Sequence, residues 1–179
     1  MSPAITVTQL DAVRDLIRAF VEWQRVRNGA DLHLVEKYFD AAAVDAELAS
    51  LPGKYGPPSG GLLLATVDGV PAGCVALHAL DDGSCEMKRM FVQPAFQGRG
   101  VGAALVTGIV ERARQIGYRL MRLDTSYRQI EAQRLYARHG FRTVAPYYEL
   151  PVDLRGWLVF MERDLAVGAE MNDHPASSP

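Results

Sequence analysis

The chain has 179 residues, 49% hydrophobic and 22% charged, with a formal charge of −2; this describes one globular domain able to bury roughly two-thirds of its unfolded surface without a disulfide framework or structural metal. Its longest apolar run, Leu62 to Val67 with Thr66 allowed, falls far short of the roughly 18 residues of a membrane helix, and Cys74 and Cys85 stand apart with no CxxC pair and no signal-like N-terminus, so bilayer, zinc-site and secreted classes lose support and a reducing cytoplasm is expected. Residues 1–85 carry 6 Lys/Arg against 11 Asp/Glu, residues 86–142 carry 11 against 4, and residues 143–179 carry 2 against 6, a basic centre that either solubilises helix faces or suits a small polyanion, and that argues against a nucleic-acid binder with positive charge spread over the domain.

Residues 4–8 (AITVT) alternate and predict a short first strand. From Gln9 to about Arg27, Leu10, Val13, Ile17, Phe20 and Val21 recur at helical spacing, and Asn28-Gly29, a pair that tolerates positive φ, predicts the stop. Leu34, Tyr38, Phe39, Ala42, Val44 and Leu48 predict a second helix to about Ser50, followed by an irregular Pro- and Gly-rich loop over 52–61. The runs LLLATV and VPAGCVALHAL flank Asp68-Gly69 and predict a hairpin. Asp81-Asp82-Gly83 turns the chain into a strand over Ser84 to Gln93, which Pro94 breaks. A helix opens at Gly100 or Gly102 and runs to about Ile116, with Gly117 as its stop; a strand over 119–124, a helix from about Gln129 to His139 capped by Gly140, and strands near Phe141 to Tyr148 and Trp157 to Arg163 complete the series.

The predicted order is β-α-α-β-β-β-α-β-α-β-β, an α/β (α+β) fold in which an antiparallel meander leads into two βαβ-type units, giving a mixed sheet with helices on both faces. A single domain over 1–165 and a disordered tail over 166–179 are expected.

The stretch Cys85 to Ala103 puts a strand, a proline and glycines 98, 100 and 102 at the mouth of a helix. Glycines there let backbone N–H groups approach a phosphate, and the helix N-terminus adds partial positive charge. Gly98-Arg99-Gly100-Val101-Gly102-Ala103 satisfies the loose GxGxxG/A fingerprint of a nicotinamide or flavin protein. That fingerprint belongs after the first buried parallel strand, whereas this strand follows a meander and carries Glu86, Lys88 and Arg89.

Gln97-x-x-Gly100-x-Gly102 after a strand ending in Val92 resembles the Q/R-x-x-G-x-G/A acyl-CoA signature of the GNAT superfamily of N-acetyltransferases. Downstream, Ala132-Gln133-Arg134-Leu135-Tyr136-Ala137-Arg138-His139-Gly140-Phe141 is similar to the second motif of that family, and the order of elements from 4 to 164 matches it. LPGKYGPP, GLLLA, CEMKRMFV, RLDT and PYY look like a bacterial subgroup of the family. The resemblance implies a mixed, mostly antiparallel sheet splayed beside the glycine loop, and acetyl-CoA as co-substrate with no metal. It assigns Met90, Phe91, Val92, Gln97, Gly98, Arg99, Gly100, Val101 and Gly102 to the cofactor. Met90 and Val92 would pair with the pantetheine arm, and the Val92 N–H would stabilise the oxyanion. Gln129 stands where many members carry Asn, and Arg134 either reaches a CoA phosphate or faces solvent.

Acetylating an amine requires an ammonium to lose a proton and the departing thiolate to gain one. Glu86, on the strand beside the acetyl site, is the candidate base, directly or through water; its alternative is an ion pair with a neighbouring arginine. Tyr136 is the candidate acid, with a packed aromatic as its alternative. His78 and His139 read more simply as a strand histidine and a helix-end histidine. Cys85 lacks a base partner, so direct transfer in a ternary complex is preferred to a thioester on the protein.

The resemblance places the acceptor near Arg25, Arg27, His33, Tyr147, Tyr148 and Glu149. An acidic N-terminal third favours a cationic amine, and Arg25 and Arg27 equally suit a carboxylate. A small metabolite, a peptide terminus, a lysine, an aminoglycoside and an arylamine stay open, as does an assembly state that in this family is often a homodimer. A catalytically silent acyl-CoA sensor is the alternative to an enzyme, and a nicotinamide oxidoreductase the remote one; neither nucleic acid nor membrane is expected as a partner.

Overall fold

The computed structural model describes residues 1–166, so the expected disordered tail lies, apart from Ala166, outside the described residues. The chain opens on β1 (Ser2–Pro3), which pairs antiparallel with Leu63 and Leu64 and is followed by a bond from the Ala4 N–H to the Leu62 carbonyl. The strand expected over 4–8 does not form. Thr6 is the N-cap of α1 (Val7–Arg27): its hydroxyl accepts from the Gln9 N–H at 3.3 Å while Gln9 Oε1 accepts from the Thr6 N–H at 3.0 Å. This reciprocal cap is worth about 1 kcal/mol. Ile5 and Val7, the residues that suggested alternation, are exposed and line no sheet.

α1 stops at Asn28, as expected, although Asn28 sits at φ −105 and makes no use of the left-handed region. Its side chain instead donates to the Gln24 carbonyl and to Gln24 Oε1 at 3.0 and 2.7 Å. The single helix expected next is two, α2 (Leu32–Tyr38) and α3 (Ala41–Ser50). Asp40 divides them by accepting from the Ala43 N–H at 2.9 Å, a fresh N-cap that the apolar period does not reveal.

Strands β2 (Gly61–Val67) and β3 (Val70–Ala79) form the expected hairpin, with Asp68 and Gly69 both at positive φ (52 and 78) as a two-residue turn requires. Then come β4 (Cys85–Val92), α4 (Val101–Ile116), β5 (Leu120–Ser126), α5 (Ile130–Arg138), a short β6 (Arg142–Val144) and β7 (Leu158–Asp164). The sheet order is β1-β2-β3-β4-β5-β7-β6, antiparallel throughout except at β4/β5. The strand expected over 141–148 stops at Val144, and β7 inserts between β5 and β6, so the second βαβ-type crossover skips one strand.

Two cores flank the sheet. On one face Val13, Ile17 and Phe20 of α1, with Val35, Phe39 and Leu48, pack on Leu62, Leu64, Cys74, Phe91 and Phe160. On the other, Leu105, Ile109 and Ala113 of α4 and Tyr136 of α5 pack on Leu63, Val75, Leu77, Met87, Met121 and Leu123. Such alternate assignment follows from the two-residue period of a strand.

Two departures from regularity create the site. Parallel pairing of β4 with β5 is confined to Cys85↔Met121 and Glu86↔Arg122, after which β5 continues along β7 from Leu120↔Asp164 to Ser126↔Leu158. The sheet therefore splays from Met87 onward. A β-bulge in β4 also breaks the register with β3 between Cys74 and Ala76, and places Arg89 at φ 55. The bulge turns Lys88 and Arg89 to the same face in succession, where Arg89 is held in its unusual conformation by Glu47 of α3 through bonds of 2.6 and 3.1 Å.

Candidate active site

The glycine loop is built by conformation first. Gly98 and Gly100 have φ 75 and 80, with no atom within 4 Å of a Cβ built on either. They are glycines because the loop must turn left-handed there. Gly102, inside the first turn of α4, has ordinary φ, but its Cβ would stand 3.3 Å from Leu135 Cδ2 and 3.6 Å from Met90 Cε. Its bareness keeps open the gap between α4, α5 and β4. Gln97 donates from Nε2 to the Val92 carbonyl at 3.1 Å, tying the loop to the end of β4.

A cleft of about 540 Å³ opens in front of this loop. Met90, Phe91, Val92, Gln97, Gly98, Gly100, Gly102, Gln129 and Tyr136 line it, as do Phe20, Trp23, Arg27, Glu131, Leu135 and Arg138. Bare N–H groups at a helix mouth and cationic Arg27 and Arg138 on the walls fit a long phosphorylated ligand. Three expected cofactor residues are not on the wall: Val101 is buried in the core, Arg99 stacks near Phe96 and Arg134 is exposed on α5. Arg27, expected near the acceptor, stands instead on this wall.

Strand geometry orients the backbone at the end of β4. The Gln93 N–H donates to the Ala72 carbonyl at 2.9 Å, toward β3. By the alternation of an extended strand, the Val92 N–H points the other way, into the space that β5 vacates.

A second, smaller pocket of about 50 Å³ lies deeper between the splayed strands, lined by Tyr38, Phe39, Lys88, Arg89, Asp124, Trp157 and others. It shares Phe20, Met90, Gln129 and Tyr136 with the large cleft. Tyr136 therefore stands at the junction. Burial, with the Asp124 charge adding to it, keeps its phenol protonated far above neutral pH, and no hydrogen bond from a described residue contributes.

Behind the small pocket runs a buried polar network. Glu86 accepts from Tyr147 Oη at 2.6 Å through Oε1 and contacts His78 Nε2 at 3.0 Å through Oε2, with Lys88 Nζ 3.3 Å from Oε1. Burial alone would raise its carboxyl, but the His78 bond, the Lys88 charge and the Tyr147 bond outweigh that and hold it at about 2. Lys88 Nζ donates to Asp124 Oδ2 at 2.7 Å and to Tyr38 Oη at 3.0 Å. Asp124 also accepts from Tyr38 through Oδ1 and from Tyr148 through Oδ2 at 3.1 Å.

The network joins the expected residues Glu86, Tyr147 and Tyr148, although Glu86 lines neither cleft. Arg25 pairs with Glu22 along α1, and His33 is exposed away from both clefts. Lys88, Asp124, Tyr38 and Trp157 carried no assigned role in the sequence. The available signal was Glu86 and Lys88 at two-residue spacing, two charges on one face of a strand whose other face is apolar. Among the described residues no group of three His, Cys, Asp or Glu side chains could hold a metal ion.

Residues 17–141 match the acetyltransferase (GNAT) family. The chain belongs to the GNAT family. The nicotinamide reading of Gly98–Ala103 falls with this and with β4's antiparallel pairing to β3; the expected enzyme class, an N-acetyltransferase, stands. An uncharacterised N-acetyltransferase of Schizosaccharomyces pombe is 44% identical over 111 residues, covering 61% of this chain and 68% of its own. An N-acetylaspartate synthetase of Danio rerio is 31% identical over 122 residues, covering 66% of this chain and 43% of its own, so the GNAT chain spans less than half of that protein. A putative acyl-CoA N-acyltransferase structure from Klebsiella pneumoniae has 32% identity and a TM-score of 0.56 over 69% of this chain and 86% of that one. A Staphylococcus aureus GNAT structure reaches a TM-score of 0.69 at 20% identity over 90% and 96% of the two chains, a likeness of fold. No helix among the described residues is long and apolar enough to cross a membrane.

Proposed function

We propose that this GNAT protein transfers an acetyl group from acetyl-CoA to a primary amine by direct attack in a ternary complex. The observation that carries the reading is Tyr136 at the junction of two clefts, one ending at the glycine loop before α4 and the other at a buried carboxylate. A related fold from Salmonella typhimurium, at 24% identity and a TM-score of 0.55 over 75% of this chain and 78% of that one, is described with its cofactor acetyl-CoA.

In this reading the N–H groups from Gly98 to Gly102, backed by the α4 dipole, hold the pyrophosphate. Arg27 and Arg138 add charge along the cleft, and the exposed edge of β4 at Met90 and Val92 takes the pantetheine arm as an added strand. Attack on the thioester puts negative charge on its oxygen, which the Val92 N–H stabilises. The Tyr136 phenol, kept protonated by burial, gives its proton to the departing sulfur. The amine's proton leaves toward the carboxylates of β4 and β5, Glu86 and Asp124, bridged by Lys88.

The test is calorimetric titration of acetyl-CoA, CoA and NAD into the folded protein, followed by CoA release with a panel of amines. Micromolar binding of acetyl-CoA, no binding of NAD and turnover of an amine are expected. Acetyl-CoA binding without turnover of any amine would make the protein an acyl-CoA sensor, and no binding of either CoA species would overturn the proposal.

A further inference from the structure

We infer that the Arg89 guanidinium binds a carboxylate carried by the acceptor, so that the acceptor is an amino acid and not a simple amine. The inference rests on the acetyltransferase reading and names the substrate class of that site.

Arg89 is held in a conformation that its surroundings must impose. It sits at φ 55, a left-handed value that an L side chain rarely adopts, inside the bulge of β4, and its carbonyl accepts from the Cys74 thiol of β3 at 3.4 Å. Backbone strain of this kind gathers where a side chain is aimed at a functional task, and a bulge is a recurrent means of re-aiming one. Here the side chain is brought to the wall of the small pocket, beside Tyr136, while Glu47, its ion-pair partner, lines neither cleft.

The guanidinium is fixed in its plane and only partly used. Nε and Nη2 donate to the two oxygens of Glu47 at 2.6 and 3.1 Å, and the Phe39 ring centroid lies 5.5 Å from its central carbon. Nη1 has no hydrogen-bond partner among the described residues and is still open to solvent, although the side chain as a whole is only 14% exposed. The outer edge of the fork, Nη1 with the second N–H of Nη2, therefore presents two parallel donors, the geometry that takes a carboxylate through both oxygens. A volume of about 50 Å³ holds such a group and leaves the rest of the acceptor outside.

Net charge around the pocket does not choose the ligand, because Lys88 and Arg89 on its wall are matched by Asp124 beside them and by Glu47 and Glu86 behind. Direction does. The Lys88 ammonium is turned to Asp124, Tyr38 and Glu86, whereas the outer edge of Arg89 faces no described acceptor. Arg25 and Arg27, which the sequence suggested for a carboxylate, are placed elsewhere, Arg25 against Glu22 and Arg27 on the large cleft. With a carboxylate on Arg89, the amine of a short amino acid is left toward Met90 and Tyr136, which line both clefts. The neutral, nucleophilic amine of such a molecule belongs to an anion, so the form that reacts is the form this edge binds.

The experiment measures kcat/KM, with acetyl-CoA as donor, for glycine, β-alanine and L-phenylalanine, each beside its own carboxamide, which lacks the negative charge. The carboxamide is the weaker base and more of it is neutral at about pH 8, so a preference for the acid does not come from a larger share of free amine. At least one acid is expected to exceed its carboxamide by about 10-fold or more, the scale of a charge-assisted pair. Arg89→Gln should bring that ratio to within about 3-fold of unity, through the KM of the acid, with acetyl-CoA affinity by calorimetry unchanged because Arg89 does not line the large cleft. The double variant Arg89→Gln/Glu47→Gln should do the same; it removes the carboxylate left unpaired, so the loss reports missing donors and not a new negative charge. Ratios below about 3-fold for all three pairs in the unsubstituted protein, a comparison that needs no variant to fold, overturn the inference, as does a ratio that survives in the double variant. Acetyl-CoA binding with none of these amines turned over overturns this inference alone, whereas no acetyl-CoA binding overturns the acetyltransferase reading beneath it.

Discussion

Arg27 in the last turn of α1 meets Glu131 in the first turn of α5 at 2.6 Å, and both side chains stand on the wall of the large cleft. The pair joins elements that otherwise flank opposite faces of the sheet. Because both groups are largely exposed, its removal should move the melting temperature little. Its effect on a polyanionic ligand should be larger and of opposite sign at the two ends. Glu131→Gln removes a like charge and should tighten acetyl-CoA about 2- to 5-fold at low salt, while Arg27→Ala should weaken it by a similar factor. Calorimetry at two ionic strengths checks both, and an identical change in the two variants would dissociate the pair from the ligand.

Tyr136→Phe should lower kcat by about 100- to 10,000-fold, the range of a lost general acid, and leave the acetyl-CoA Kd within a factor of about three. Burial raises the phenol far above neutrality, so the unsubstituted protein should show no alkaline limb from Tyr136 below about pH 10. Steady-state profiles from pH 6 to 10 provide the measurement.

Glu86 makes stability depend on acid. Its folded value of about 2 lies below the ordinary 4.5, so its contribution is fully present above pH 4.5 and disappears as pH falls toward 2. Glu86→Gln leaves Lys88 without one partner and should cost about 3 to 5 kcal/mol at pH 7. The gap in unfolding free energy between the two proteins should narrow steadily from pH 4.5 to 2. A gap independent of pH would mean that the carboxylate charge is not what stabilises the fold.

Gly100→Ala and Gly102→Val separate two roles of the loop. At Gly100 the cost is backbone strain at φ 80, about 1 kcal/mol, since no neighbour lies within 4 Å of the new Cβ. At Gly102 the side chain would intrude between Leu135 and Met90. Gly100→Ala should lower the melting temperature by a few degrees, and Gly102→Val should cost acetyl-CoA affinity at least 10-fold. Paired melting and binding curves distinguish them.

Regular elements were legible where period and punctuation agree, as in α4 between Gly100 and Gly117, both at positive φ. Misreadings arose where a single polar side chain overrides the apolar pattern: Thr6 with Gln9 turned an apparent strand into a helix start, and Asp40 cut one helix into two. The glycine loop could be read because its chemistry is local in sequence. The Lys88–Asp124 pair could not, because its members lie 36 residues apart on strands whose proximity depends on the sheet order, and because the same side chains also read as ordinary surface charges.

The two residue pairs that join β4 to β5 leave the sheet as two leaves bound along a very short spine. One leaf carries the glycine loop and Val92; the other carries Asp124. The distance between the glycine loop and Asp124 is then an angle between leaves as much as a matter of side-chain placement. Substitutions at Cys85 or Met121, which touch neither cleft, would alter that angle at its vertex and tune turnover from the far end of the sheet.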